Sequence, residues 1–381
     1  MGLSDVAMEV VAYDIDKLPA ASCVEYRYRR YANDPLWIPP LRRQLAWYYD
    51  PQFPFYCLPG NRSRHFIAME QDSVAGHVSA MIPSGPWAPD CGNVGLIGLF
   101  ECHSEAVGTA LLTAAVDWLS GAGGIRRVLG PMNFDIWHEH RLKTAGFANA
   151  PYFGEPYNPP AYVGILEGAG FRPIRTWRSV LAGDPECIRR VMAMHEQSET
   201  GVLAAGYRFE TVDPDNERHV QDLHAVQMAA FHGAVAYTPM PLKDYRDLFT
   251  AYARMADIRY VTILRSPRGE VAGGAIAYPD PADVVRAMQG ETSLVARFRI
   301  LLRRRRTDRA IFHFVGTMPA ERKRQRGLGR ALVHRLLRRI VEDGYRQTIF
   351  ALIAEDSGAR PFVGDTIDRV HGEYALYERL L

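Results

Sequence analysis

Ile311-Phe312-His313-Phe314-Val315-Gly316-Thr317-Met318 is an apolar, β-prone run, and Arg322-Lys323-Arg324-Gln325-Arg326-Gly327-Leu328-Gly329 follows it as a basic, glycine-bearing turn. From Ala331 to Asp343 the pattern becomes helical, with Leu332, Leu336, Leu337, Ile340 and Val341 on one face. A further strand is expected at Thr348–Ala354. The order strand, turn, helix sets free backbone N–H groups beside the positive end of a helix dipole, where a phosphate can sit. Gly327 and Gly329 let the chain bend tightly and let a ligand approach with no Cβ in the way. The neighbouring arginines supply charge-assisted bonds to phosphate oxygens. The plainer alternative is a solvated arginine-rich bend.

No Gly-Lys-Ser/Thr follows the turn, and the Gly-x-Gly-x-x-Gly spacing is absent, which excludes a Walker loop and a dinucleotide loop. Arg324-Gln325-Arg326-Gly327-Leu328-Gly329 does resemble the (Gln/Arg)-x-x-Gly-x-(Gly/Ala) pyrophosphate loop of the GNAT acyltransferases, which bind acetyl-coenzyme A. The resemblance extends over roughly residues 207–381, where the expected order is β-α-α-β-β, then β-α-β, then a last strand. It implies acetyl-CoA, or another acyl-CoA, as co-substrate. The backbone of Val315, Gly316, Thr317 and Met318 would hold the pantetheine, and Arg324–Gly329 with Arg330 and Ser357 would hold the remainder. Between Pro319 and the loop the turn is about two residues longer than the family usually has.

Bulk properties narrow the classes. The 381 residues suffice for two ordinary domains, and 48% hydrophobic with 23% charged residues is a globular composition. A net charge of +2 gives no footprint for general nucleic-acid or membrane-surface binding. Cys23, Cys57, Cys91, Cys102 and Cys187 are scattered without metal-site spacing, so reduced thiols and no metal are expected. The first residues carry neither a basic leader nor a long apolar run, and no segment is apolar for the length of a membrane helix. A cytoplasmic protein is the expectation.

The first half repeats the pattern. A strand hairpin is expected at His65–Glu70 and Val74–Ile82, a strand at Asn93–Glu101, a helix at Gly108–Ser120 and a strand at Ile125–Leu129. Prolines 35, 39, 40, 51, 54 and 59 point to an extended covering loop before them. An offset of 329 − 108 = 221 pairs Gly108 with Gly329, Leu111 with Leu332 and Gly123 with Gly344. In that register His103 faces Arg324, Glu105 faces Arg326 and Ala106 replaces Gly327, which is poor for a pyrophosphate. The fold class expected is α/β (α+β), two tandem GNAT-like domains, each a mixed, mostly antiparallel sheet flanked by helices. Residues 1–203 would form an N-terminal domain with a degenerate coenzyme loop, and 204–381 a C-terminal domain with the acetyl-CoA loop. Phe171–Leu181 is expected as the closing strand of the first domain and Asp184–Glu199 as a helix.

Gly130-Pro131-Met132-Asn133-Phe134 and Tyr157-Asn158-Pro159-Pro160 resemble segments of tandem bacterial GNAT-like proteins, although Ala161 departs from the second pattern; with the cluster Trp137-His138-Glu139-His140 between them, Asn133, His138, Tyr157 and Asn158 are acceptor-pocket candidates. Turn chemistry is the alternative, and is preferred for Asn158. His232 and Tyr237 lie in the helix–helix connection that lines the acceptor site in the family, or merely anchor it. His313 shares a strand face with Val315 and Thr317 and is a candidate base, or a buried structural histidine. Glu355 and Asp356 are alternative bases. The tyrosine acid usual in the family is replaced by Val363, leaving Tyr374 or Tyr377. The function implied is an acyl-CoA-dependent N-acyltransferase acting on a small-molecule amine. The alternatives are transfer from an acyl carrier protein, docked on Arg303–Arg306 and Arg322–Arg326, or a non-catalytic acyl-CoA-binding protein. The Arg303–Arg306 run is read as a solvated helix end rather than a nucleic-acid site.

Overall fold

The structure is a computed structural model that describes residues 8–89, 93–255, 257–291, 307–356, 358, 362–363, 367 and 369–381. Ser357, Cys91, Arg303–Arg306 and the 359–361 stretch therefore lie outside the described residues. Strands of the first half are β1 (Met8–Tyr13), β2 (Arg62–Glu70), β3 (Ser73–Ile82), β4 (Val94–Cys102), β5 (Arg127–Gly130), β6 (Leu142–Ala145) and β7 (Arg172–Ala182). The second half adds β8 (Arg208–Thr211), β9 (Val261–Arg265), β10 (Val271–Pro279), β11 (Arg309–Thr317), β12 (Gln347–Ala354) and β13 (Val370–Leu380). Helices are α1 (Ala20–Arg30), α2 (Arg42–Trp47), α3 (Pro54–Cys57), α4 (Glu105–Gly121), α5 (Ala161–Gly168), α6 (Pro185–Ala193) and α7 (Glu196–Ala204). After these come α8 (Glu217–Phe231), α9 (Leu242–Met255), α10 (Ala282–Met288), α11 (Pro319–Arg324) and α12 (Leu328–Glu342).

The thirteen strands of the described residues form one mixed sheet, ordered β1-β2-β3-β4-β5-β13-β7-β12-β11-β10-β9-β8, with β6 attached to β13. Neighbours are antiparallel except β4–β5 and β11–β12, which are parallel because α4 and α12 return the chain between them. The expected mixed, mostly antiparallel sheet is thus present, but its two halves are laced together. β13, the last strand of the chain, pairs with β5 of the first half, and β7 pairs with β12 of the second. The two meet antiparallel at the centre. A cut at 203/204 falls at the last residue of α7, yet α6 and α7 pack on α12: Cys187, Ile188, Val191 and Val202 share one core with Leu332, Leu336, Leu337 and Ile340. Glu199 of α7 is the partner of His334, Arg335 and Arg338 on α12.

Local chemistry explains the element ends. Asp184 caps α6 by accepting from the Cys187 N–H, with Pro185 in the first turn. The single helix expected over Asp184–Glu199 is two, broken at Met194–His195. The proline-rich stretch is not wholly extended, because Pro54 opens the short helix α3. α1 was not expected, since its four buried residues are Cys23, Val24, Tyr26 and Tyr28, three of them with polar atoms. With its neighbours it presents Tyr31, Trp37, Leu45, Tyr48, Phe53 and Phe55 to a large aromatic core shared with Met132, Phe134 and Trp177.

Candidate active site

β11 and β12 are in register only from Arg309↔Gln347 to Phe312↔Phe350. Beyond Phe312, β11 continues to Thr317 against β10, while β12, paired with β7 on its other side from Thr348 to Ala354, bulges between Phe350 and Ile353. The two parallel strands therefore splay, and among the described residues the edge of β11 from His313 to Thr317 has no strand beside it on that side. The edge of a splayed strand offers N–H and C=O groups to an extended ligand. At its mouth the chain passes through α11 into Gln325, Arg326 and Gly327. Gly327 holds φ +84 as the cap of α12, a conformation that L side chains rarely adopt. Arg322, Arg326 and Arg330 are exposed around this turn and form no ion pair among the described residues, whereas Arg324 is engaged by the buried Glu321. Glu321 also accepts from the Tyr207 hydroxyl at 2.7 Å, which fixes the turn to the start of the second half.

The glycines have neighbours of their own. A Cβ on Gly329 would come within 2.8 Å of the Phe362 ring, and one on Gly327 within 3.3 Å of Ser198. Phe362 is held by its carbonyl, which accepts from His195 Nε2 at 2.6 Å. Small residues are thus required here for packing as well as for ligand approach.

The corresponding splay of the first half is closed by its own chain. β4 and β5 pair only over Val94–Leu96 and Arg127–Leu129. Past that point the Met132 N–H donates to the Ile97 carbonyl at 2.8 Å, and the Leu99 N–H donates to Asn133 Oδ1 at 2.6 Å. Gly98 is needed beneath them, because a Cβ there would lie 2.3 Å from the Met132 carbonyl oxygen. The start of α4 carries Glu105 and is capped by the Ser104 side chain, leaving it less suited to an anion.

The open splay leads into a cavity of about 1060 Å³ built from both halves. His313 and Val315 reach it from β11, Leu352 and Ala354 from β12, and Phe231 from α8. The first half contributes Tyr48, Phe53, Trp87, His138, Arg141, Tyr157 and Trp177. The His313 side chain is exposed to the cavity space. Desolvation by the surrounding protein, with the nearby Arg141, pushes its pKa down to about 4, so the imidazole is neutral near pH 7. Tyr278 lies beside it, with ring centres 5.8 Å apart.

Other sequence candidates divide between the cavity and the scaffold. His138 lines the cavity, with Nδ1 2.7 Å from Asp135 Oδ1; burial opposes its protonation but Asp135 outweighs that and raises its pKa. Tyr157 lines it too and donates to Asp34 at 2.5 Å. Asn133 is consumed in closing the first splay, and Asn158 bonds the backbone of Lys143, as the turn reading held. Tyr237 is buried and His232 exposed; they contact each other, but neither is in the cavity wall. Glu355 and Asp356 are not in the cavity wall; they accept from Thr176 at 2.6 Å and Arg175 at 2.8 Å. Tyr374 is fully buried and donates to Glu155 at 2.5 Å, while Tyr377 is buried and bonds Glu167. Burial foremost raises both phenols, and neither borders the cavity. Sequence reasoning missed Arg141 and Trp177. Only the absence of an acid partner marks Arg141, and that is a property of the fold.

Among solved structures, a tandem GNAT protein from the clavulanic acid biosynthesis pathway aligns with 98% of this chain and 98% of its own, at TM-score 0.52 and 14% identity. The chain has a tandem GNAT fold. A GCN5-related glucosamine N-acetyltransferase region of a fungal multi-domain β-N-acetylglucosaminidase aligns with 99% of the chain, at TM-score 0.54 and 13% identity, over 38% of that longer protein. No family model and no curated protein matches the sequence. Among the described residues no helix is long and apolar enough to cross a membrane, and no acidic, histidine or cysteine cluster fits a metal ion.

Proposed function

We propose that the protein is an acyl-CoA-dependent N-acyltransferase, most simply an N-acetyltransferase, acting on a small-molecule amine in the cytoplasm. The observation that carries this reading is the open β11 edge, which runs from a glycine-capped helix start into a cavity walled by both halves. The residues fit an acyl-CoA. Arg326 and Arg330 are free to meet its phosphates, the α12 N-terminus adds N–H groups, and the Val315–Met318 backbone can bond its pantetheine. Bound acyl-CoA would supply an activated thioester carbonyl.

The protein's own work is to hold the amine against that carbonyl, keep water out and accept a proton. As the new C–N bond forms and the C–S bond breaks, one proton leaves the amine nitrogen and one reaches the departing sulfur. Neutral His313 has a lone pair available and is the cavity-facing base on β11. His138 and Tyr157 would shape the acceptor end. The first half, with its splay filled by Met132 and Asn133, serves as the acceptor wall and holds no second coenzyme.

The test is a calorimetric titration with acetyl-CoA, comparing wild type with Arg326→Glu/Arg330→Glu. These exposed positions carry no packing, unlike Gly329. Charge-assisted contacts are worth about 1.5–3 kcal/mol each, so the affinity should fall at least about tenfold. Absence of binding in the wild type would sink the free-coenzyme reading and turn attention to an acyl carrier protein.

A further inference from the structure

Arg141 is a cation without an anion. It lines the cavity, and among the described residues it forms no ion pair and no hydrogen bond; its Nε is fully enclosed and unbonded. Its one defined contact is the Trp177 ring, with the guanidinium carbon 4.5 Å from the ring centre. The acids on neighbouring segments are already committed: Asp135 to His138, Glu139 to Arg27, and Glu155 to Lys143. The second arginine on Trp177, Arg175, is paired with Asp356 at 2.8 Å, so it adds positive field without needing a ligand. Burial and Arg175 lower the Arg141 pKa to about 10, which leaves it charged near neutrality.

A half-buried guanidinium whose Nε is shut from water, with no acid among the described residues, costs stability unless something else on the reaction path completes it. Its planar fork matches a carboxylate, and the indole beneath it fixes the plane in which that carboxylate can approach. Arg141 follows the 131–140 segment, its charge bearing on His313, and Trp177 stands on β7, whereas the coenzyme phosphates are proposed at the α12 turn, which has its own exposed arginines. The group they await therefore belongs to the acceptor rather than to the coenzyme.

We propose that Arg141, seated on Trp177, binds the carboxylate of the acceptor, so that the amine substrate is an amino acid or another aromatic or apolar amine bearing a carboxylate. The apolar remainder would lie among Tyr48, Phe53 and Trp87. This rests on the acyl-transfer reading for the fate of the amine, but the carboxylate site can be tested without turnover.

The probes are 3-phenylpropionate and its neutral counterpart 3-phenylpropionamide, titrated calorimetrically into wild type and Arg141→Gln. Wild type should prefer the acid at least about tenfold, and Arg141→Gln should bind the two alike. Arg141→Lys should restore only part of the preference, because a point charge lacks the fork. Equal binding of acid and amide by wild type, failure to bind the acid, or a preference that survives in Arg141→Gln would overturn the proposal. Acetyl-CoA titrated into the same samples separates the two readings. Coenzyme binding unchanged in Arg141→Gln is expected, and a wild type that binds the acid but no coenzyme would retain the carboxylate site while ending the acyl-CoA assignment.

Discussion

Glu155 shows how much single residues carry here. Its carboxylate is fully enclosed and receives Lys143 Nζ at 2.7 Å, the Tyr374 hydroxyl at 2.5 Å and the Tyr152 N–H at 3.2 Å. Burial favours the neutral acid, but His371 and Lys143 outweigh it and hold the group ionised below its ordinary pKa. Removing one partner strands the other charge, so Lys143→Met should cost about 3–5 kcal/mol in urea unfolding. Lys143→Met/Glu155→Leu should recover much of that loss, since no buried charge remains; a double variant no better than the single one would contradict this account. Gly98 carries a steric role of similar weight. Its missing Cβ leaves room for the Met132 carbonyl, a backbone atom that cannot swing aside, so Gly98→Ala should destabilise by about 3 kcal/mol by the same measurement.

Elements record the internal repeat more faithfully than residues do. α4 ends at Gly121 and α12 at Glu342, an offset of 342 − 121 = 221, the one that the paired glycines and leucines in the sequence had indicated. β4 and β11 are nine residues each, but they start at 94 and 309, an offset of 215. The six-residue difference equals the length of α11, the short helix that stands before the Gly327 cap. Strand–turn–helix order was legible because period and punctuation are local properties. The break between α6 and α7, the filling of the first splay and the commitment of Tyr374 to Glu155 were not, because each is decided by a partner distant in sequence.

The β2–β3 hairpin makes a pH prediction at this scale. His65 and His77 are buried, bonded through Nδ1 to Ser79 and to the Leu99 carbonyl, and burial pushes them down to about 3 and about 4. In the unfolded chain both titrate near 6.5, so below that pH the unfolded state binds more protons. Stability is therefore complete above about pH 6.5 and declines as pH falls toward 4. His77→Asn keeps a donor for Leu99 and removes one titration. Between pH 6 and 4.5 its stability should fall less steeply than that of wild type, by up to about 1.4 kcal/mol per pH unit, in urea midpoints converted to free energy. Parallel pH curves would refute the assignment.

Taken whole, the molecule is two similar units that have each given their last strand to the other. β13 completes the sheet beside β5, and β7 completes it beside β12, so the central strands of the continuous sheet come from opposite halves. Local pattern revealed both strands, but a strand does not encode its neighbour, which is why a boundary at 203/204 reads naturally in sequence while the sheet crosses it. The exchange buries Tyr374, Ala375, Leu376 and Tyr377 from the C-terminal strand, and Val180, Leu181 and Ala182 from β7. Fully burying a large side chain of this kind is worth about 1.5–3 kcal/mol. A separated half would expose those residues and two long strand edges at once. Residues 1–203 and 204–381 expressed alone should therefore aggregate or remain without cooperative unfolding, whereas co-expression should give a 1:1 complex on size exclusion that unfolds cooperatively. The cavity, walled by both halves, should appear only in that complex, so 3-phenylpropionate binding should be restored with it. A soluble 204–381 fragment that unfolds cooperatively by itself would show that the exchanged strand is an ornament of the second unit rather than a condition of its folding.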